Sequence, residues 1–340
     1  MKKIFFALLA AAAITLSCAA VQAQPVHRFS VKIGIDRTSV DSLGGQERVV
    51  HLIKDMFRQV NKAFNYDNRF AAIHHFEVDW DAFYIFDGLS TDEISKPHPD
   101  HDYLVVMDGY KSHPKETGGG WYGDTWQTIY HARTHNDRFN SPFEQQAIDG
   151  IIHEFGHARG IPDIYAMKVD ADKNPICGMP YIGIRCIMDY PYGERHWSDY
   201  AVNMINLAAG RNIDIDDLVS KAVTENITIK ARWADGQEAK GATVKFYPVM
   251  WYSYTVQPKA VYSTSTNENG VATLPTEKVF SREKEFGVKY SNCLVEVEAE
   301  GKKSYAWMPL WYLQNCWFDG KESCELEITL KRDIKVTRDI

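Results

Sequence analysis

The sequence predicts a mixed α+β domain, a twisted sheet with packed helices, followed by an all-β sandwich. Three observations lead there. Up to about residue 212, strand-like alternation is interleaved with long amphipathic helices. After residue 215 the texture changes to short β-rich runs separated by turn dipeptides. The chain has 340 residues, 45% hydrophobic and 13% aromatic, enough for two cores at roughly 100–200 residues per domain.

The chain opens with Lys2 and Lys3, an apolar run over 4–16, and small residues at Val21 and Ala23. That order reads as a secretory signal peptide over 1–23, so an exported protein is expected, periplasmic, extracellular or at the surface. Cys18, preceded by Leu16-Ser17, offers lipoprotein processing as the rival, although Thr15 stands where an aliphatic residue is usual. The apolar run falls short of the roughly 20 residues a membrane span needs, and no other segment approaches one. Little chain separates Gln24 from the first strand, so no long inhibitory propeptide is expected. The remainder divides into a first domain over 24–215 and a β-sandwich over 220–335.

In the first domain, residues 27–35 read as a strand, with Phe29, Val31, Ile33 and Ile35 alternating. Residues 46–64 read as an amphipathic helix, with Val49, Val50, Ile53, Phe57, Val60 and Phe64 at three- and four-residue steps after Gly44-Gly45. Strands are expected at 72–78 with 83–86, at 103–107 and at 126–132. A long helix is predicted over 142–159: Ser141 serves as N-cap, Pro142 occupies the first turn, and Glu144 is placed to close a capping box. A further helix covers 198–209. In the second domain strands are expected at 227–233, 242–248, 260–265, 270–274, 293–299 and 324–330, with turns at Asp235-Gly236, Asn269-Gly270 and Glu300-Gly301. The stretches from Lys240 to Tyr247 and from Asn269 to Leu274 resemble the immunoglobulin-like or carboxypeptidase-regulatory-like modules of secreted bacterial enzymes.

A net charge of −7 argues against a nucleic-acid partner, which would require a basic face. The chemistry concentrates instead in His153-Glu154-Phe155-Gly156-His157, continued by Gly160 and Asp163. Four residues advance about 400° around a helix, so His153 and His157 share one face a turn apart. Two imidazoles held so can bind one zinc ion, and Glu154 lies beside that face as a general base. Gly160 can adopt the left-handed conformation that ends a helix, and Pro162 blocks its continuation, so the chain can return Asp163 as third ligand. His196 is the alternative third ligand. Two histidines, one carboxylate and an open position form a catalytic set.

This run resembles the extended motif of the metzincin metallopeptidases, with aspartate in place of the more usual third histidine, as in snapalysins and immune-inhibitor-A-like bacterial proteases. The resemblance covers roughly residues 28–212 and implies an α+β metzincin fold with one catalytic Zn2+. It also implies a methionine-containing turn beneath the metal, which Cys186-Ile187-Met188-Asp189-Tyr190 matches, with Met188 as the hydrophobic floor. Tyr190 stands where astacin-like and serralysin-like relatives place a tyrosine that approaches the metal. A substrate-pairing edge strand is implied too, and the best candidate is Gly120-Trp121-Tyr122 within a glycine-rich stretch.

Other signals have plainer readings. His74-His75 and His98 to His101 are expected to be scattered exposed histidines rather than a second metal site. Asp170 to Asn174 opens like a Ca2+ loop, yet Pro175 and Tyr181 stand where glycine and glutamate are required, which favours a solvated turn. Aromatic clusters at Trp251 to Tyr254 and over 307–317 read as sandwich core or as a glycan- or protein-binding surface. Of six cysteines, Cys177 and Cys186 bracket the entry to the methionine turn and could bridge. Cys316 and Cys324 flank a tight turn and could pair, with Cys293 able to take either partner. The expected function is a secreted zinc endopeptidase acting on protein or peptide substrates, favoured as a monomer. The alternatives are an exported binding or adhesion protein with a vestigial peptidase domain, or a zinc hydrolase of a non-peptide amide.

Overall fold

The computed structural model describes residues 24–66, 69–109, 119–122, 128–132, 134–135, 138–139, 141–190, 195–210 and 214–331. The signal segment with Cys18 lies outside the described residues, as do the side chains of Trp121 and Tyr122. Strand β1 (Val26–Asp36) buries Phe29, Val31, Ile33 and Ile35 on one face, as the alternation predicts. Asp36 then caps α1 (Arg37–Ser42) by accepting from the Ser39 amide at 2.7 Å. Gly44 and Gly45, both at φ 97°, turn the chain into α2 (Gln46–Ala63), which buries Val49, Ile53, Phe57 and Val60.

There follow β2 (Ile73–Val78), β3 (Tyr84–Phe86), α3 (Ser90–Ile94), β4 (Tyr103–Asp108), β5 (Gly119–Tyr122) and β6 (Thr128–Ala132). A short pair, β7 (Thr134–His135) and β8 (Arg138–Phe139), precedes α4 (Gln145–Ala158), α5 (Asp199–Ala208) and α6 (Ile215–Lys221). The sheet runs β2-β1-β4-β6-β5, with β3 also paired to β1. Its pairings are parallel except for β5, which lies antiparallel to β6 and ends the order. β4 is buried along its length because both faces are covered: Tyr103, Val105 and Met107 join the main core, while Leu104 and Val106 pack with Ile94 of α3.

Helix α4 starts later than its sequence signals suggest. The Ser141 carbonyl accepts from the Glu144 amide at 3.3 Å, and its hydroxyl oxygen accepts from the Phe143 amide at 3.2 Å. Ser141 thereby closes a turn of its own, and Glu144 becomes the N-cap with no side-chain cap bond.

The second half contains β9 (Asn226–Trp233), β10 (Thr243–Met250), β11 (Tyr262–Ser265), β12 (Val271–Pro275), β13 (Tyr290–Ala299), β14 (Lys302–Trp307), α7 (Leu310–Phe318) and β15 (Ser323–Leu330). An antiparallel sheet in the order β11-β10-β13-β14 accompanies a three-stranded one, β12-β9-β15, in which β15 runs parallel to β9. Glu300 and Gly301, at φ 51° and 72°, form the tight β13–β14 hairpin. The module is not all-β, because the aromatic stretch after β14 forms α7, which a Cys316–Cys324 disulfide ties to β15.

The proposed Cys177–Cys186 bridge is absent. Cys186 is buried beside Ser198, whereas Cys177 is exposed, and both are free, as is buried Cys293. The two halves also share one contiguous apolar core running from Phe29 to Leu330, and α6 spans the sequence boundary between them.

The expectation of exposed histidines fails at His74 and His98, which are 1% and 6% exposed. His74 points inward from β2 among Phe29, Phe64 and Phe70. Burial, with the nearby Arg159 and His27 charges, lowers its pKa from 6.5 to about 4. The folded ring therefore stays neutral while the unfolded chain takes up a proton, so stability falls as pH drops from 6.5 towards 4. At pH 5 this amounts to about 2 kcal/mol. In urea unfolding, His74→Phe should lose about 2 kcal/mol less than wild type between pH 7 and pH 5; equal losses would refute the assignment.

Candidate metal centre

The site is built on the last turns of α4 and on the two segments that return to it. His153 and His157 lie one turn apart on the helix, with ring centroids 4.8 Å apart. Gly160, at φ 89°, ends the helical run: its amide donates to the His157 carbonyl at 2.8 Å, and the chain then doubles back. This return brings Asp163 Oδ1 to 2.9 Å from His153 Nε2 and 3.3 Å from His157 Nε2. The Glu154 carboxylate and the two imidazoles lie within 4.8 Å of one another. Either carboxylate reaches the imidazoles, and Asp163 places one oxygen between both Nε2 atoms. All four side chains are largely withdrawn from solvent.

The outer ring nitrogens decide what the inner ones can do. His153 Nδ1 is 2.9 Å from the Ile187 carbonyl oxygen, and His157 Nδ1 is 2.7 Å from that of Ile161. A carbonyl can only accept, so each Nδ1 carries the proton and a neutral ring presents its Nε2 lone pair inward. Both lone pairs then face Asp163 Oδ1, which is buried between the two rings. Lone pair against carboxylate is repulsive unless a proton or a metal cation stands between them. Without a metal the proton does so: burial opposes charge on His157, but Asp163 outweighs it and raises the pKa to about 9. Burial likewise favours a neutral Asp163, yet His157 and the hydrogen bonds to both rings hold it far below the usual carboxylate range.

The donor set also fits a metal in size. Ligand atoms about 2.0–2.2 Å from a tetrahedral zinc lie about 3.3–3.6 Å apart; the His157–Asp163 separation of 3.3 Å falls in that range and the His153–Asp163 separation of 2.9 Å is shorter. Two imidazoles and a carboxylate suit zinc and other first-row divalent ions better than calcium. Among the described residues, the Asp170 to Asn174 segment forms no such set: Asp170 pairs with Lys173 at 3.1 Å, and the Asn174 amide donates to the Met179 carbonyl at 2.8 Å. His196 contributes its carbonyl, which accepts from the Ile187 amide at 2.7 Å, and its ring is not in the convergent group.

The segment from Cys186 to Tyr190 packs against α4. Met188 is fully buried against Gly156 of α4. Its carbonyl accepts from the Ile164 amide at 3.0 Å, while the neighbouring Ile187 carbonyl orients His153. One short turn thus holds both His153 and the segment that follows Asp163. Tyr190 is half exposed, its ring 6.2 Å from Tyr165, which itself lies nearly parallel to the His153 ring at 6.1 Å. Gly120, Trp121 and Tyr122 fall in β5, the outermost strand of the sheet, which packs beside α4.

Several contributors were not legible beforehand. Arg159 is wholly buried, its guanidinium bonded to the Tyr103 hydroxyl and 4.3 Å from the centre of the Phe29 ring, so the end of α4 is anchored to β1 and β4. Gly156 is required by Met188: a Cβ there would overlap the Met188 sulfur and lie 3.3 Å from Trp197. Tyr165 and Tyr252 both bond to Asp163, and burial followed by the Asp163 charge raises the pKa of each phenol, so both remain donors. Only the Met188–Gly156 pair had a sequence signal, the glycine inside the helical motif.

No protein-family model matches the chain, and no curated protein matches it. Among solved structures, the shaft pilin SpaA of Lactobacillus rhamnosus GG, in mutant form, aligns over 32% of this chain and 49% of its own at 14% identity and a TM-score of 0.22. That similarity is too low to inform fold or function.

Gly156→Ala should destabilise the protein by about 1–2 kcal/mol, because overpacking outweighs the better helix propensity of alanine. In a Met188→Ala background the same change should become neutral or stabilising. Urea unfolding of the four metal-free proteins checks the sign reversal, and additive effects would refute the contact.

Proposed function

We propose that the chain is an exported, metzincin-like zinc endopeptidase. The observation that carries this reading is the pair of imidazoles whose Nδ1 atoms are committed to backbone carbonyls and whose Nε2 atoms converge on Asp163, with Glu154 alongside. His153, His157 and Asp163 would hold one zinc ion. Bound there, zinc supplies Lewis acidity towards an amide carbonyl and brings the pKa of water down to about 7.

The chain's own residues do the rest. Glu154 takes the proton of the attacking water and returns it to the leaving amine. Its near-complete burial keeps that carboxylate out of bulk water. Tyr190, half exposed at the edge of the site, donates to the carbonyl oxygen of the substrate. Met188 supports the imidazoles from beneath. Strand β5, at the edge of the sheet beside α4, offers backbone groups to an extended peptide. Export rests on the 1–23 leader.

Purified wild type should bind one zinc per chain and cleave members of a peptide library. Glu154→Ala should bind zinc equally and cleave about 10²–10⁴-fold more slowly. A fully active Glu154→Ala protein would overturn the mechanism. Zinc binding without cleavage of any peptide would favour the vestigial or non-peptide readings. Asp163→Ala should bind zinc much more weakly, and wild-type affinity in that variant would remove Asp163 from the ligand set.

A further inference from the structure

One bond to Asp163 comes from the other half of the chain. The Tyr252 hydroxyl, from the turn that follows β10, donates to Asp163 Oδ2 at 2.8 Å, while Oδ1 faces the two imidazoles. The turn presenting this tyrosine is backed on several sides. Trp251 is buried, its indole N–H donating to the Val288 carbonyl at 2.9 Å and its ring 5.4 Å from Phe286. Tyr252 and Tyr254 take φ of 56° and 55°, left-handed conformations that cost a non-glycine residue roughly 1–2 kcal/mol each.

Hydrogen bonds to the segment just after Asp163 hold that strained turn in place. The Tyr252 amide donates to the Ala166 carbonyl at 3.3 Å and the Asp170 amide to the Tyr254 carbonyl at 3.3 Å, while from neighbouring β13 the Asn292 side chain donates to the Met167 carbonyl at 3.0 Å. A strained, docked turn therefore presents the Tyr252 hydroxyl to one carboxylate oxygen of Asp163.

We propose that Tyr252 is a positioning residue of the metal centre, orienting the Asp163 carboxylate so that Oδ1 meets the imidazole pair. The C-terminal module then completes the site and is not a detachable appendage. This inference rests on the zinc reading of the centre and adds a role for the second half of the chain. A carboxylate has two equivalent oxygens and a freely turning plane. Binding one oxygen to a fixed donor selects which oxygen, and which lone pair, the metal receives. Tyr165 supplies a second donor to Asp163 from the first half, so Tyr252 tunes a bound carboxylate rather than holding it alone.

The test uses the full chain as wild type, Tyr252→Phe and Tyr254→Phe. Zinc affinity is read by competition with a chromophoric chelator, and ligand geometry by the visible spectrum of the cobalt-substituted protein. Tyr252→Phe should bind zinc about tenfold more weakly and shift the cobalt bands, while its metal-free form keeps the wild-type near-ultraviolet circular dichroism. Tyr254→Phe, on the same turn, should stay within about twofold of wild type in affinity, well inside the loss expected when a hydrogen bond to a metal-binding carboxylate is removed. Unchanged affinity and spectrum in Tyr252→Phe would overturn the proposal, as would an equal loss in Tyr254→Phe, which would mean general loosening of the turn. Wild type binding no zinc, or binding it as well after His153→Ala, would remove the zinc reading and this inference with it. Wild-type binding with an unaltered Tyr252→Phe removes this inference alone.

Discussion

The two bonds from imidazole Nδ1 to backbone carbonyls are the constraint on which the rest of the site depends. A histidine on a helix can rotate about two side-chain bonds and can carry its proton on either nitrogen. The Ile187 and Ile161 carbonyls remove that freedom, and in doing so they require the chain to pass α4 twice. One pass is the sharp return at Gly160, and the other is the methionine turn. Packing around the site serves those two passes: Met188 fills the groove over Gly156, the Ile164 amide bonds the Met188 carbonyl, and Lys168 pairs with Asp189 at 2.7 Å.

The same geometry gathers charge in a place that excludes water. Two lone pairs and a carboxylate oxygen meet inside a buried pocket, an arrangement that holds together only with a cation among them. A proton on His157 can fill that role, and a divalent metal would fill it with all three donors at once. The phenols of Tyr165 and Tyr252 lie on the far side of Asp163, where burial keeps them protonated and able only to donate to it. Folding and the electrostatics of the site are therefore coupled through one carboxylate.

The aromatic segments of the second half have a similar logic. The Trp307 indole donates to the Pro180 carbonyl at 3.0 Å, the Trp311 indole to the Tyr181 hydroxyl, and Trp251 backs the turn that carries Tyr252. Much of the surface that could have served an external ligand is committed to the first half of the same chain. This use also explains why α7 was hard to foresee. Its residues from Leu310 to Phe318 are apolar on nearly every side, so no polar face marks a helical period, and packing on both halves decides its shape.

What the sequence determined by itself was local. The spacing of His153 and His157, the helix end at Gly160 and the alternation in β1 follow from periodicities of a few residues, which short-range geometry enforces. Cys316 and Cys324 were also close enough in sequence to suggest their pairing. Cys177 and Cys186 were nearly as close, yet their side chains face solvent and core respectively, and sequence spacing carries no record of direction. Tertiary structure alone decided which carbonyls lock the imidazoles, why residue 156 must be glycine, and that Tyr252 reaches Asp163 across a separation of 89 residues. Those are meetings of distant segments, set by the packing of two sheets and a helix around a shared core, and no local pattern encodes them.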